Sequence, residues 1–198
     1  MKLFGRHVIY ANVEEVNRGN LLDVIGKAIP IYEKNRTDTQ ILYDYYRGKH
    51  HIYNRVKVER PEICNKVVEN RANEIVSFKT GYLMGEPVQY VSRNGDSVDQ
   101  LNIFNEYMFE EDKASKDKQL ADWFHISGTS YRMIFADRDN NEDESPFEIY
   151  TLDPRNTFVV YSSGLGNERL MGVCVVYNES IARYCCYTKK RYFEVENR

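Results

Sequence analysis

Apolar residues recur at helical spacing through roughly the first two thirds of the chain and at a period of two thereafter, which predicts helices followed by strands. Leu21, Leu22, Val24, Ile25 and Ile29 form one apolar face, which Pro30 is expected to end or kink by removing an amide donor and crowding the preceding turn. A second helix is then predicted from the Thr37-x-x-Gln40 capping pattern through Ile41, Leu42, Tyr45 and Tyr46, stopped by Gly48. From His50 to Pro61 the residues Ile52, Val56 and Val58 alternate without a helical period, so the stretch reads as extended or irregular. A wide stripe of Val68, Ala72, Ile75, Val76, Phe78, Tyr82 and Leu83 predicts a helix from Val67 to Leu83, closed by Gly85 and Pro87.

Val88 to Val91 reads as a short strand, followed by an Asn94-Gly95 turn and a Ser97-x-x-Gln100 cap. The next helix carries Val98, Leu101, Phe104, Tyr107 and Met108; another, Lys113 to Ser127, turns Leu120, Ala121, Trp123 and Phe124 inward. Gly128 marks the change of period. Tyr131, Met133 and Phe135 begin a hairpin whose acidic loop runs from Asp137 to Ser145 and whose return strand holds Phe147, Ile149 and Thr151. Strands follow at 157–161, 170–177 and 182–187 and from Tyr192, with turns at 162–166 and at Lys189. The chain stops at Arg198 within what reads as an unfinished meander, so a front portion of a longer protein is expected.

Composition narrows the class. The 198 residues are 42% apolar, with a net charge of −3, and no apolar run approaches the roughly 18 residues a membrane helix needs. The opening MKLFGRHVIYANVEE has no apolar core of signal-peptide length, so secretion is not expected. Cys64, Cys174, Cys185 and Cys186 show no C-x-x-C spacing, which points to reduced thiols rather than a disulfide framework or zinc module, with one of the adjacent pair 185 and 186 in the core and the other on the surface. Residues 1–60 are basic by 11 to 7, whereas residues 85–152 are acidic by 15 to 6. The single dense basic run, Lys189-Lys190-Arg191, reads best as a solvated turn, so tight phosphate gripping is not expected.

Catalytic signatures are missing: there is no phosphate loop, no H-E-x-x-H pair, no G-x-S-x-G elbow and no strand-anchored G-x-G-x-x-G. Glu110, Glu111 and Asp112 offer carboxylates for a metal, but neighbours at a helix end point in different directions. His50-His51 lack accompanying ligands at a useful spacing, and His125 beside Trp123 and Phe124 reads as a partly buried ring. Tyr43, Tyr45, Tyr46 and Tyr53, close to Arg47, Lys49 and Arg55, make the best local candidate for base stacking; packing of the rings against another element or a neighbouring subunit is the favoured reading. No catalytic residue, cofactor or metal site is therefore assigned.

Four words of sequence resemble the portal protein family of tailed bacteriophages, in order and spacing, across roughly residues 20 to 190. They are Tyr45-Tyr46-x-Gly48-Lys49-His50, an asparagine-containing helix from Asn65 to Ala72, Lys79-Thr80-Gly81-Tyr82-Leu83-Met84-Gly85-Glu86-Pro87-Val88, and Leu152-Asp153-Pro154-Arg155-Asn156-Thr157-Phe158-Val159-Val160-Tyr161. The words also have a physical reading. Gly81 and Gly85 let a helix end turn sharply before Pro87, while Asp153-Pro154 turns the chain into a strand whose Phe158 and Val160 share a face.

The resemblance implies an α+β fold, N-terminal helices followed by an antiparallel β-meander, similar to the portal wing and ending before stem, clip and crown. It implies a division into an N-terminal helical arm, 1–60, and a wing-like domain, 61–198, with an incomplete sheet. The function implied is that of a non-enzymatic structural subunit in a homo-oligomeric ring of about a dozen copies at the capsid's portal vertex. Double-stranded DNA passes through such a ring without sequence-specific binding. Terminase, scaffolding, major capsid and head-completion proteins are the implied partners, with assembly in the host cytoplasm and no membrane. Tyr45, Tyr46, Gly48, Lys79, Tyr82, Gly85, Pro87, Asp153, Pro154 and Arg155 are the expected motif and interface residues. The alternatives are a phage-encoded metal-dependent nuclease using the carboxylates near Glu110 and a monomeric binding module.

Overall fold

The structure, a computed structural model, describes residues 6–93, 95, 98–136, 145–178 and 181–197. Its elements are β1 (Ile9–Ala11), α1 (Leu21–Tyr46), a single 3-10 turn (His51–Asn54), α2 (Arg71–Met84), α3 (Val98–Glu110), α4 (Lys113–Ser127), β2 (Tyr131–Ala136), β3 (Phe147–Leu152), β4 (Thr157–Ser162), β5 (Arg169–Asn178), β6 (Ile181–Thr188) and β7 (Tyr192–Asn197). The α+β reading holds: four helices precede a mostly antiparallel strand set. Asn94, Ser97 and loop residues 137–144, on which a turn, a cap and an acidic loop are predicted, lie outside the described residues. Two compact units emerge, residues 1–41 with 153–198, and residues 42–152. This grouping differs from the division at residue 60, because α1 shares a core with strands more than a hundred residues downstream.

In the first unit five strands run in the order β1-β4-β5-β6-β7. Period-two apolar residues line up across the ladder on one face: Ile9 opposite Val160, Val160 opposite Met171, Phe158 opposite Val173, Val173 opposite Cys186 and Val175 opposite Tyr184. The helical spacing of Leu21, Val24, Ile25, Ala28 and Tyr32 supplies the matching face of α1, and all of these residues join one buried cluster. A register shift after Val160 places an extra residue in β5, so that Leu170 and Met171 are both buried.

Three expectations fail in this unit. Pro30 neither ends nor splits the helix: α1 runs uninterrupted for 26 residues. The proline sits on its exposed side, while the faces before and after it are held in the core. Thr37 is therefore no cap; its hydroxyl bonds back to the Glu33 carbonyl at 2.9 Å, as Thr39 does to Asn35 at 2.8 Å. Strand β1, unpredicted because three residues carry too little periodicity, pairs parallel to β4 and makes the sheet mixed. Cys185 and Cys186 are both buried, since β6 lies inside the sheet and Cys174 flanks Cys185 on the second face. Burial pushes the Cys186 thiol up to about 12.

The second unit packs α2 on α4 and lays the antiparallel β2-β3 hairpin against α4. Gly128, at φ +70°, closes α4 through its amide on the Phe124 carbonyl, 2.8 Å away. Phe124 itself is exposed, not inward. Helix α2 starts at Arg71 rather than Val67, capped by Asn70, whose side chain accepts the Asn73 amide. Val88 to Val91 is not a strand. The Tyr90 carbonyl is taken by the Asn105 side-chain amide at 3.2 Å and its ring meets Phe104 edge-on at 5.0 Å, which ties the segment to α3 instead of to a ladder.

Candidate functional site

The ten expected residues fall into three separate places rather than one cavity. The first is the turn after α1. Gly48 adopts φ +76°, which an L side chain rarely takes, and its amide bonds to the Tyr45 carbonyl at 3.0 Å. Asn70, which sequence reasoning did not single out, bridges this turn to α2: its side-chain amide donates to the Tyr46 carbonyl at 3.0 Å while its oxygen caps the helix. A β-carbon at Gly48 would stand 3.3 Å from the same amide nitrogen, so glycine and asparagine fit as a pair. The sequence pattern hid this role, because the predicted helix starts at Val67 and places Asn70 inside its first turn. Burial, with Asp122 nearby, raises the Tyr46 phenol above its ordinary value.

Three of the four tyrosines meet other aromatic rings, Tyr43 also lying 6.2 Å from Tyr46, whereas Tyr53 is exposed. Tyr43 stacks on Trp123 at 5.2 Å and receives an Arg47 hydrogen bond at 3.2 Å, while Tyr45 lies against His50 at 4.6 Å. Ring packing thus describes Tyr43, Tyr45 and Tyr46 and leaves Tyr53 outside it.

The second place is the end of α2. Val76 and Thr80 face inward, Thr80 donating to Asp122 at 2.6 Å. The opposite face carries Ile75, Phe78 and Tyr82; the last two are 73% and 81% exposed with their rings stacked at 6.4 Å, and Lys79 lies exposed between them. Gly85 is not a left-handed turn residue, since its φ is −62°. What demands glycine is a close approach: a β-carbon there would stand 2.6 Å from the Gly81 carbonyl oxygen. Pro87 follows, exposed, at the mouth of a groove of about 830 Å³ between residues 87–92, α3 and the start of α4.

The third place lies in the first unit. Asp153 accepts the Arg155 amide at 2.8 Å and holds the Arg155 guanidinium through both carboxylate oxygens, with Pro154 buried between them. Arg155 reaches Gln40 at 3.2 Å, and its carbonyl accepts the Tyr32 hydroxyl at 2.8 Å. The word thus clamps α1 to the start of β4. It is a fold-forming device and presents no free functional group.

The carboxylate trio near Glu110 is divided. Glu111 accepts the Ile149 amide at 2.7 Å and Lys116 at 3.0 Å; burial would raise its pKa, but these bonds and the lysine's charge together hold it below the usual range. Glu110 and Asp112 are exposed. Among the described residues no three His, Cys, Asp or Glu side chains gather as a metal ion would require. The Lys189-Lys190-Arg191 turn is solvated, with Lys189 paired to Glu168 and Lys190 to Glu15. No helix among the described residues is long and apolar enough to cross a membrane.

Burial separates the two units most sharply. Fifteen residues form the first unit's core, whereas among the described residues of the second unit only Val76, Thr80, Asp117, Ala121 and Ile149 are buried, and none of α3. The same unit exposes Val56, Val58, Phe78, Tyr82 and Phe109.

A search of curated proteins finds no match to the chain. The model of one family, described as phage portal protein, SPP1 Gp6-like, matches residues 25–198. That match spans all three motif places, and with it the chain belongs to the phage portal protein family, whose members are structural proteins of the virion's portal vertex.

Proposed function

We propose that this chain is a structural subunit of a portal ring through which double-stranded DNA enters and leaves the capsid, with no bond chemistry of its own. The observation that carries the reading is the nearly coreless second unit. A three-helix and hairpin assembly that buries five described residues gains little from folding alone, and neighbours in a ring supply the missing cover. The stripe of Ile75, Phe78 and Tyr82 and the Tyr45 turn are the proposed intersubunit contacts. The acidic excess over residues 85–152 suits a conduit, since phosphate-neutralising contacts would hold DNA rather than let it slide. Terminase, scaffolding, capsid and head-completion proteins meet the ring at the vertex, after assembly in the host cytoplasm.

Hydroxyl-radical footprinting of assembled against unassembled protein tests the placement. Phe78 and Tyr82 become protected on assembly if the reading holds; oxidation of both rings at unchanged rates in the assembled form contradicts it.

A further inference from the structure

Residues 53–66 form a loop tied shut by its own bonds. The Lys66 ammonium donates to the Tyr53 carbonyl at 2.5 Å, the Lys57 ammonium to the Ile63 carbonyl at 3.1 Å, and the Cys64 thiol to the Arg55 carbonyl at 3.7 Å. Within it the alternation is inverted. Lys57 turns back toward the loop, whereas Val56 and Val58 on either side are 84% and 94% exposed. A solvent-facing strand normally does the reverse. The bonds pre-order the loop, so little conformational freedom is left to lose when the valines are covered.

The same unit carries a complementary surface. The groove of about 830 Å³ beside α3 is walled by Val88, Val98, Leu101, Met108 and Phe109, with Phe109 88% exposed. Residues 98–112 hold five acidic side chains and no basic one; residues 47–66 hold six basic and two acidic. Asp99, Glu106, Glu110 and Asp112 are exposed around α3, as are Arg55 and Arg60 on the loop. The valines do not fill the groove of their own copy, because they stand in solvent.

We infer that the Arg55–Arg60 loop of one copy docks into the α3 groove of a second copy, Val56 and Val58 entering the apolar channel while the loop's arginines meet the acidic rim. Loop and groove are different surfaces of one unit, so the contact is head-to-tail and propagates until a ring closes. The inference rests on the ring reading above and names which surfaces join.

Mixing two altered full-length chains tests it. The loop variant carries Val56→Asp and Val58→Asp; the groove variant carries Phe109→Lys and Glu110→Lys, all at exposed positions. Circular dichroism matching that of the unaltered chain shows that each folds. Each alone shifts the assembly midpoint to at least about tenfold higher concentration. An equimolar mixture forms dimers and stops there, because one intact loop meets one intact groove. If the loop variant loses its fold, the reversal pair Arg55→Glu with Arg60→Glu, tested with the groove variant for restored assembly in the mixture, takes its place; if the groove variant does, Glu110→Lys alone replaces it. Assembly of the unaltered chain and both variants at the same concentration overturns the docking alone; a mixture that stays monomeric does so as well. An unaltered chain that never assembles overturns the docking together with the ring reading.

Discussion

Tyr32→Phe removes a single oxygen atom from the first unit, and the structure says what that atom does. The ring is fully buried and lies 4.7 Å from Phe158, a contact phenylalanine keeps. The hydroxyl donates to the Arg155 carbonyl at 2.8 Å and sits 3.2 Å from the Tyr177 hydroxyl. Losing a buried donor and leaving its acceptor unmatched costs about 1–2 kcal/mol, which in a chain of this size lowers Tm by about 3–6 °C. Tyr177→Phe is the control. Its ring lies under the Arg36 guanidinium at 4.4 Å and remains there, while the Tyr32 to Arg155 bond survives, so the expected cost is below about 0.5 kcal/mol. The pH dependence separates the two further. Burial raises the Tyr32 phenol well above the ordinary value of about 10. Its contribution is therefore fully present below pH about 10 and is lost as the pH rises from there through the folded-state value, because the unfolded chain gives up its proton first. Melting curves at pH 8 and at several values above 10 show a shallower alkaline decline for Tyr32→Phe. Equal losses for both variants, or an unchanged alkaline slope, refute the clamp between α1 and residue 155.

Two glycines four residues apart should respond oppositely. Gly81→Ala adds a methyl with nothing within 4 Å in a helix interior and should stabilise the second unit by about 0.5–1 kcal/mol, whereas Gly85→Ala drives a β-carbon to 2.6 Å from a carbonyl oxygen and should cost about 1–3 kcal/mol; urea denaturation reads both. Asp117 is buried and receives Lys113 and Arg132, so Asp117→Asn should destabilise by about 3 kcal/mol in the same assay. Burial by itself would raise the Asp117 pKa, but the two cations hold it below the usual carboxylate range. Its contribution is present above pH about 4 and is lost as the pH falls through the folded-state value, and acid unfolding of Asp117→Asn should lack that step.

Strands and helices with one strong period were legible in the residues themselves. Met171, Val173 and Val175 alternate, and they face the core; Leu21, Val24, Ile25 and Ala28 share a helical face, and they pack on that sheet. Errors came where tertiary contacts outvote local chemistry. Pro30 ought to end a helix, yet core contacts on both sides of it hold α1 continuous. Val88 to Val91 has strand residues but no partner strand, so Asn105 and Phe104 capture it instead. The pairing of β1 with β4 spans about 150 residues, a distance that no local pattern encodes. At the candidate site the motif words were readable while their roles were not. The need for glycine at 85 comes from a carbonyl four residues earlier, and the bridge from Asn70 to Tyr46 depends on the turn at Gly48. Exposure of Phe78, Tyr82, Val56 and Val58 was also hidden, because an apolar residue in a sequence does not say whether it faces its own core or a neighbour's surface.

In the proposed ring, other copies of the chain complete the thin core of the second unit. Light scattering of the 198-residue chain across a wide concentration range, with circular dichroism at each point, tests it most directly. The expected mass climbs with concentration to a discrete closed assembly while the helix and strand content stays constant. A folded chain whose mass remains that of one copy at every concentration contradicts it.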